Sequence, residues 1–368
     1  MAVAAEDERF MAAAIRLSLR NLGRTGTNPS VGCILVKDGA VLATGVTDLG
    51  GRPHAERVAL AGAGEAARGA TAYVSLEPCS HHGKTPPCAE GLIEAGVARV
   101  VVSVVDPDER VSGRGVAMLA AAGIEVETGV LEGEGRRALA AYLMQKINKR
   151  PYVTLKLAVS FDGMLGRLGA GQVAITGPVA RGQVQILRAE SDAILVGIGT
   201  ALADDPELTC RLPGLQDRSP IRIVLDQDLR LPLYSKLALT AREVPVIDVA
   251  GEPPRFDDAA DRSFLARREA LDEAGVEVLQ CDPRNVAALL AALASRGISS
   301  LLVEGGATVA RSFLDAGFVD RIHLYSGAGP IGENGIASPL VPGAVPPGFA
   351  LRRTMRLGND LLEEYERD

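Results

Sequence analysis

One histidine, one glutamate and two cysteines in the first half of the chain have the types and the spacing that suit a catalytic zinc ion. His54 and Glu56 occur in the segment PHAE at the predicted start of a helix, and Cys79 follows a predicted strand. Cys88 comes nine residues after Cys79. A catalytic zinc takes three protein ligands and keeps one position open for water. One imidazole and two thiolates leave such a site formally neutral and still acidify the water. We therefore predict His54, Cys79 and Cys88 as metal ligands, with Glu56 as the group that moves the proton.

The order of these residues is that of zinc-dependent base deaminases, H-x-E followed by P-C-x-x-C, with one change. Here residues 80–87 (SHHGKTPP) separate the two cysteines, and His81, His82 and Lys84 within them suit an anionic phosphate. A rival ligand set, in which His81 or His82 replaces one cysteine, stays open. Paired thiolates nevertheless suit zinc well. Cys33, inside a predicted strand, is expected in the core.

Length and composition predict two α/β domains. The chain has 368 residues, of which 47% are apolar and 4% aromatic, with no tryptophan. A core of valine, leucine, isoleucine and alanine suits buried strands covered by helices. A length of this order exceeds that of most single domains.

Charge, hydropathy and cysteine usage disfavour several classes of protein. The net charge of −7 gives no general attraction for a nucleic-acid backbone, and few aromatic residues are present to stack on bases. The sequence contains no apolar run long enough for a membrane span, and acidic residues stand near its start, where a secretory signal has basic ones. Five scattered cysteines do not form a disulfide framework. We therefore expect a cytoplasmic protein with no nucleic-acid or membrane partner.

The first half alternates helices and strands, beginning with a hairpin across Asp38-Gly39, a pair that favours a tight turn. One antiparallel hairpin followed by βα units predicts a mixed sheet between helices. The predicted elements are a helix over 6–20, strands over 31–37 and 41–45, a helix from 55, a strand over 72–76, a helix from 89, a strand over 99–105, a helix over 115–122 and a strand over 124–128.

A charged stretch that ends in proline, residues 145–151 (QKINKRP), is the predicted linker to a second α/β domain. The elements predicted after it are strands over 152–157, 193–196, 221–225, 244–249, 300–303 and 321–325, and helices over 178–190, 286–295 and 308–316.

Glycine turns in the second half favour a phosphate-containing cofactor. Residues 301–308 (LLVEGGAT) predict a strand, a glycine pair and then a helix whose N-terminus offers free N–H groups. A second strand ends in the glycine turn 196–200 (VGIGT). Neither is the G-x-G-x-x-G fingerprint, so a Rossmann domain is not supported. On the residues alone each is equally an ordinary tight turn, and Asp204-Asp205-Pro206 is typical of a turn.

Seven segments together carry a resemblance to a known family. They are 28–33 (NPSVGC), 53–56 (PHAE) and 76–88 (LEPCSHHGKTPPC) in the first half, and 156–163 (KLAVSFDG), 187–197 (LRAESDAILVG), 199–209 (GTALADDPELT) and 303–306 (VEGG) in the second. The chain resembles the bifunctional deaminase–reductase family of riboflavin biosynthesis over nearly its whole length. This resemblance implies a cytidine-deaminase-like three-layer α/β/α domain with a mixed sheet over 1–148, and a dihydrofolate-reductase-like α/β domain over 149–368.

The resemblance also implies the reactions and the residues that serve them. In the family a zinc deaminase hydrolyses the 2-amino group of a diaminopyrimidinone ribosylamine 5′-phosphate, and an NADPH-dependent reductase then converts the ribosyl chain to ribityl. It implies a homodimer through the C-terminal domain. The implied contacts are Asn28, His81 and Lys84 to the first substrate, Ala158, Thr200, Asp204, Gly306, Ala307 and Thr308 to NADPH, and Arg188, Leu208, Arg211 and Glu304 to the second substrate. Two arginines suit a ribose phosphate, and the alternative for each is a solvated surface charge.

Four positions depart from the family pattern. Thr47 stands where a histidine is usual and removes one expected phosphate contact, and Asp108 replaces an asparagine. Ala174 replaces a tryptophan, and Met164 replaces an arginine.

Three other functions stay open beside the bifunctional enzyme. One is a deaminase whose reductase-like half is inactive or altered in substrate. Another is a zinc-stabilised nucleotide-binding or sensor protein. The third, a nucleic-acid deaminase, is disfavoured by the acidic balance.

Overall fold

The chain forms two compact α/β units, Met1–Lys149 and Arg150–Asp368, in a computed structural model that describes residues 5–83, 85–252 and 258–368. Each unit has its own sheet and its own hydrophobic clusters. The predicted α/β class is confirmed in both.

The first unit places a mixed sheet between helices. Its elements are α1 (Ala5–Ser18), β1 (Gly32–Lys37), β2 (Ala40–Val46), α2 (Ala55–Ala63), β3 (Thr71–Leu76), α3 (Cys88–Glu94), β4 (Arg99–Val104), α4 (Arg114–Ala121), β5 (Glu125–Thr128), α5 (Glu132–Ala138) and α6 (Ala140–Asn148).

The strand order of this sheet is β2-β1-β3-β4-β5. Strand β1 is antiparallel to β2 and β3, and β3, β4 and β5 are parallel to one another. Helix α1 buries Phe10 and Met11 against one face, whereas α2 and α3 bury Ala59 and Leu92 against the other. The predicted mixed sheet in a three-layer fold is confirmed, and Cys33 is buried in β1.

The second unit is built on a larger, mainly parallel sheet. Its elements are β6 (Tyr152–Val159), β7 (Met164–Arg167), α7 (Pro178–Glu190), β8 (Ala193–Gly197), α8 (Ile198–Asp204), β9 (Ile221–Leu225), α9 (Lys236–Leu239), β10 (Val246–Ala250), α10 (Asp258–Ala274), β11 (Glu277–Gln280), α11 (Val286–Ser295), β12 (Ser300–Val303), α12 (Ala307–Asp315), β13 (Arg321–Ser326), β14 (Gly335–Ala337), β15 (Phe349–Leu357) and β16 (Asp360–Arg367).

The order of the large sheet is β11-β10-β9-β8-β12-β6-β13-β16-β15. The first seven strands of this order, from β11 to β13, run parallel to one another. Strand β16 is antiparallel to both of its neighbours, β13 and β15. Strands β7 and β14 form a separate antiparallel pair. Because the parallel strands end at the same edge, the turns after β6, β8, β9 and β12 come together there.

The predicted linker was partly wrong, and the predicted elements were incomplete near the C-terminus. Residues 145–148 belong to α6, so four of the seven predicted linker residues are helical, although the two units meet within this stretch, between Lys149 and Arg150. The edge hairpin β15–β16 was not predicted, because charged residues face each other across it where apolar alternation marks most strands. Arg353, for example, donates to Glu364 at 2.9 Å. No helix in the described part of the chain has both the length and the apolar composition that crossing a bilayer requires.

Candidate active sites

In the first unit, three elements bring one nitrogen and two sulfur atoms together. His54 precedes α2, Cys79 follows β3, and Cys88 is the first residue of α3. The Nδ1 atom of His54 lies 3.7 Å from Sγ of Cys79 and 3.4 Å from Sγ of Cys88. All three ligand atoms lie within 4.8 Å of one another.

The spacing of these atoms fits a tetrahedral zinc ion. Zinc–sulfur bonds of about 2.3 Å and zinc–nitrogen bonds of about 2.0–2.1 Å, at a tetrahedral angle, require sulfur and nitrogen to lie about 3.6 Å apart. The two observed distances bracket this value. The hydrogen bond with the Cys88 thiol lowers the pKa of Cys79 to about 4, and the bond with Cys79 raises the pKa of His54. A thiolate beside an imidazole is the donor chemistry that zinc prefers.

Glu56 lies in the first turn of α2 with its side chain buried beside the cluster. Its carboxyl group is within hydrogen-bonding reach of the Cys88 thiol. Burial first, and then the negative charge of Cys79, raise the pKa of Glu56 to about 7. A buried carboxyl group beside a metal site, but outside the ligand set, is placed to exchange protons there.

Two arginines hold the segment between the cysteines. Arg52 donates to the Thr85 hydroxyl at 2.7 Å, and Arg57 donates to the Pro87 carbonyl at 2.7 Å. Neither arginine was predicted to have a role, because neither belongs to a recognisable motif. Their contacts fix the path of the chain that leads into Cys88.

The predicted substrate residues of this unit have different surroundings. The amide of Asn28 donates to the Gly51 carbonyl at 3.3 Å, two residues before Pro53. His81 is partly buried, and its Nδ1 atom is buried without a hydrogen-bond partner among the described residues. His82 instead lies 3.0 Å from Glu90 and is 70% exposed, so the rival ligand set that contains it does not form here. Lys84 lies outside the described residues.

Two of the positions that depart from the family pattern are satisfied within the protein. The buried hydroxyl of Thr47 accepts the Val31 N–H at 2.9 Å. Asp108 forms a bidentate pair with Arg110, at 2.9 and 2.6 Å, and lies 3.0 Å from Nζ of Lys146. The hydrogen bond from Arg110 holds the pKa of Asp108 well below its usual range. Asp108 is therefore an ionised carboxylate whose charge is paired with Arg110 and Lys146, rather than an isolated negative charge.

Glu77 is a structural anchor that the sequence analysis missed. Its buried carboxylate accepts the backbone N–H groups of Asp106, Gly113, Gly115 and Val116 at 2.9–3.2 Å. It thereby fastens the segment between β4 and α4 beside Cys79. Its place two residues before a ligand was visible in the sequence, but the distant backbone partners were not.

In the second unit, a cavity of about 1210 Å³ opens at the carboxyl edge of the parallel strands. All ten residues predicted for cofactor and substrate line it. They are Ala158, Thr200, Asp204, Gly306, Ala307, Thr308, Arg188, Leu208, Arg211 and Glu304. Ala174 also lines the cavity, whereas Met164 packs against Gly335.

The glycine turns bring two strand–helix junctions close together in this cavity. Gly306 caps α12, and the Thr200 hydroxyl of α8 lies 3.3 Å from where a Cβ on Gly306 would stand. Gly305 is required for packing, because a Cβ there would lie 2.6 Å from Cβ of Val309. Nothing lies within 4 Å of a Cβ added to Gly199, so a phosphate can approach the backbone there. These features fit the pyrophosphate of a dinucleotide at the start of α12.

Directly before the glycine pair lies Glu304, a buried carboxylate that is paired with two cations. Glu304 accepts from Arg188 at 2.8 and 3.1 Å and lies 3.6 Å from Nζ of Lys156. Burial alone would raise the pKa of Glu304, but the charges of Arg188 and Lys156 lower it to about 2. Arg188 also donates to the Thr209 carbonyl, so its fork is directed at Glu304 rather than left open for a phosphate. Lys156 was missed because it stands inside an alternating strand pattern.

Comparisons with known proteins match both units. The family described as RibD C-terminal domain matches residues 151–362, and the cytidine and deoxycytidylate deaminase zinc-binding region matches residues 4–104. The riboflavin biosynthesis protein RibD of Aquifex aeolicus is 38% identical over 363 residues, which are 98% of this chain and 98% of that protein. RibD of Escherichia coli is 37% identical over 97% of this chain and 98% of that protein.

The chain belongs to the RibD family. Among solved structures, the diaminohydroxyphosphoribosylaminopyrimidine deaminase/5-amino-6-(5-phosphoribosylamino)uracil reductase of Thermotoga maritima has a TM-score of 0.85 and 34% identity, over 99% of both chains. Acinetobacter baumannii RibD (form 1) has a TM-score of 0.84 and 36% identity, over 99% of both.

Membership of the RibD family confirms the predicted activities. The chain is a bifunctional enzyme of riboflavin biosynthesis, with a zinc-dependent deaminase and an NADPH-dependent reductase. The match over 151–362 gives no support to the deaminase-only alternative. It acts on a small molecule.

Proposed function

We propose that the first unit, predicted as residues 1–148, removes the 2-amino group of a diaminopyrimidinone ribosylamine 5′-phosphate, and that the second, 149–368, reduces the ribosyl chain of the product. The observation that carries this proposal is the cluster of His54, Cys79 and Cys88 with Glu56 buried against it. The names of solved relatives describe the same pair of reactions.

In the proposed deamination, the three ligands hold a zinc ion, which supplies Lewis-acid activation of a water molecule when bound. The Glu56 carboxylate takes a proton from the attacking water and returns it to the amino group, and the second proton of the water passes to the ring nitrogen. The amine then leaves as ammonia, and the ring carbon keeps the oxygen. Asn28, His81 and Lys84 are proposed to bind the ribose phosphate or the ring.

In the proposed reduction, the ribosyl carbon that carries the exocyclic amino nitrogen accepts the hydride that NADPH would supply when bound. The bond between this carbon and the ribose ring oxygen breaks, and the oxygen takes a proton and becomes a hydroxyl group of the ribityl chain. Thr200, Asp204 and the turn at Gly306 hold the cofactor, and Ala158 lies at the end of β6 beside it. Leu208 and Arg211 contact the substrate, while Arg188 keeps Glu304 ionised and oriented toward it. Exposed Arg211, whose Nη1 lies 3.3 Å from Glu207, is the better phosphate ligand of the two arginines.

Family resemblance also leads us to propose a cytoplasmic homodimer that associates through the second unit. All five cysteines are free thiols, which supports the reducing location. Sedimentation of the full chain tests the dimer.

The substitution Glu56→Gln tests the deaminase assignment. We expect turnover to fall by about 100- to 10,000-fold, with bound zinc unchanged by metal analysis. NADPH oxidation with the deaminated intermediate should match that of the wild type. Glu90→Gln, which neutralises a carboxylate in α3 outside the ligand set, serves as the control. A binding or sensor protein would show no turnover to lose, and a chain that deaminates without oxidising NADPH would refute the bifunctional assignment.

A further inference from the structure

One end of the cavity in the second unit carries polar residues that the proposed roles do not use. Gln227 and Arg230 follow β9, Arg284 follows β11, and all three line the cavity. The strand order β11-β10-β9-β8-β12-β6 places them on the far side of the β8 and β12 turns from Lys156.

The proposed chemistry fixes the direction of the dinucleotide, and this step rests on the proposed function above. The nicotinamide must lie against the substrate, on the side of Lys156 and Glu304. The pyrophosphate lies at the turns that hold Thr200 and Gly306. Since neighbouring strands are about 4.8 Å apart, the adenosine half then extends over β9 toward β11. Arg230 and Arg284 are therefore at the adenosine end.

The two arginines are able to bind a further anion, because their existing ion pairs are weak. Nε of Arg230 lies 3.8 Å from Asp226, and Nε of Arg284 lies 3.1 Å from Asp282. Their side chains are 55% and 80% exposed, and ion pairs at such exposure are weak. A guanidinium carries further N–H donors in a planar fork that matches phosphate oxygens.

Gln227 supplies a second, independent sign of a ligand at this end. Its Oε1 atom is buried and has no hydrogen-bond partner among the residues that the structure describes. The side chain packs closely on Gly251, where a Cβ would lie 1.7 Å from Nε2 of Gln227. A buried acceptor that lines a cavity without a partner is satisfied when a donor on a ligand reaches it. Ribose hydroxyls and the adenine amino group are such donors.

We propose that Arg230 and Arg284 bind the 2′-phosphate of NADPH and so set the preference of this enzyme for NADPH over NADH. Gln227 accepts a hydrogen bond from the adenosine that both dinucleotides share. The two cofactors differ only in that phosphate, so only NADPH gains from the arginines.

Direct binding of both dinucleotides to the full chain tests this proposal. Calorimetry measures the Kd of NADPH and of NADH for the wild type, Arg230→Ala, Arg284→Ala and the double variant. The control is Arg356→Ala, which removes the same charge from an exposed position on β15 outside the cavity. We expect the double variant to bind NADPH about 10- to 100-fold more weakly. NADH binding should stay within about threefold, and the control should match the wild type. Thermal unfolding of each variant checks that it is folded.

Failure of the 2′-phosphate site and failure of the reductase assignment give different outcomes. An equal loss of NADPH and NADH affinity, or no change in either, overturns the 2′-phosphate site. Wild-type affinity for NADPH no greater than for NADH overturns it as well. A wild type that binds neither dinucleotide refutes the reductase assignment itself. Weaker binding of 2′,5′-ADP, but not of 5′-AMP, by the double variant supports the site without any catalytic measurement.

Discussion

Single side chains around the first active site are defined by their hydrogen-bond partners more than by their residue type. Thr47 replaces a residue expected to bind phosphate, yet its hydroxyl is committed to the Val31 N–H. Its carbonyl accepts from the amide of Asn21 at 2.8 Å. Thr47 therefore joins β2 to the segment that enters β1, and we assign it a structural role.

Replacing Thr47 by valine should lower stability without changing substrate affinity. Valine has the same shape but leaves the buried Val31 N–H without an acceptor, which costs about 1–3 kcal/mol. Urea unfolding should show this loss, and Thr47→Ser, which keeps the hydroxyl, should recover most of it. A valine variant of wild-type stability with a raised KM for deamination would show instead that Thr47 contacts the substrate.

At the scale of elements, β9 and β10 carry an acidic pair inside the second core. Asp226 immediately follows β9 and Asp248 lies within β10, and both are fully buried. Within the described part of the chain, neither oxygen of Asp248 has a hydrogen-bond partner. Burial, and then the charge of Asp226, raise the pKa of Asp248 to about 8. Arg222 on β9 does not compensate, since it donates to Thr240 and nearby carbonyls.

This pair makes the stability of the second unit depend on pH. The folded protein keeps a proton on Asp248 that the unfolded chain releases above its ordinary pKa of about 4. The contribution of Asp248 to the free energy of unfolding therefore falls as pH rises from about 4 to about 8, and is level above that. Asp248→Asn removes this dependence, so its advantage over the wild type should grow across that window by about 1.4 kcal/mol per pH unit.

Unfolding in urea at pH 5, 6.5 and 8.5 measures this advantage. Asp228→Asn, an exposed change just beyond β9, is the control and should follow the wild type. A constant difference between Asp248→Asn and the wild type at all three pH values would contradict the raised pKa of Asp248.

At the scale of the whole molecule, each hydrophobic cluster of the described residues lies within one unit. Among the residues that the structure describes, the candidate metal ligands occur only in the first unit. A bound metal stabilises the fold that holds it.

Removing the metal should therefore affect one unit. After treatment of the full chain with a chelator, we expect calorimetry to show one unfolding transition at a lower temperature and the other unchanged. Deamination should be lost, whereas NADPH oxidation with the deaminated intermediate should persist. Added zinc should restore both the deamination and the original unfolding temperature. A single transition that shifts as a whole would show instead that the units unfold together.

The sequence by itself determined the α/β class and the family, and it predicted the metal ligands and the acid/base, because each depends on residue types in a local order. Short spacings such as His54-Ala55-Glu56, and the glycine turns after buried strands, carry that information directly. Tertiary structure alone decided the partners that lie far apart in sequence. The four backbone donors to Glu77, the pairing of Asp108 with Lys146 and the approach of Arg188 to Glu304 depend on how strands and loops meet. Periodicity also failed at β15–β16 and in α6, because edge strands and exposed helix ends are stabilised by charge pairs and tertiary contacts rather than by an apolar pattern.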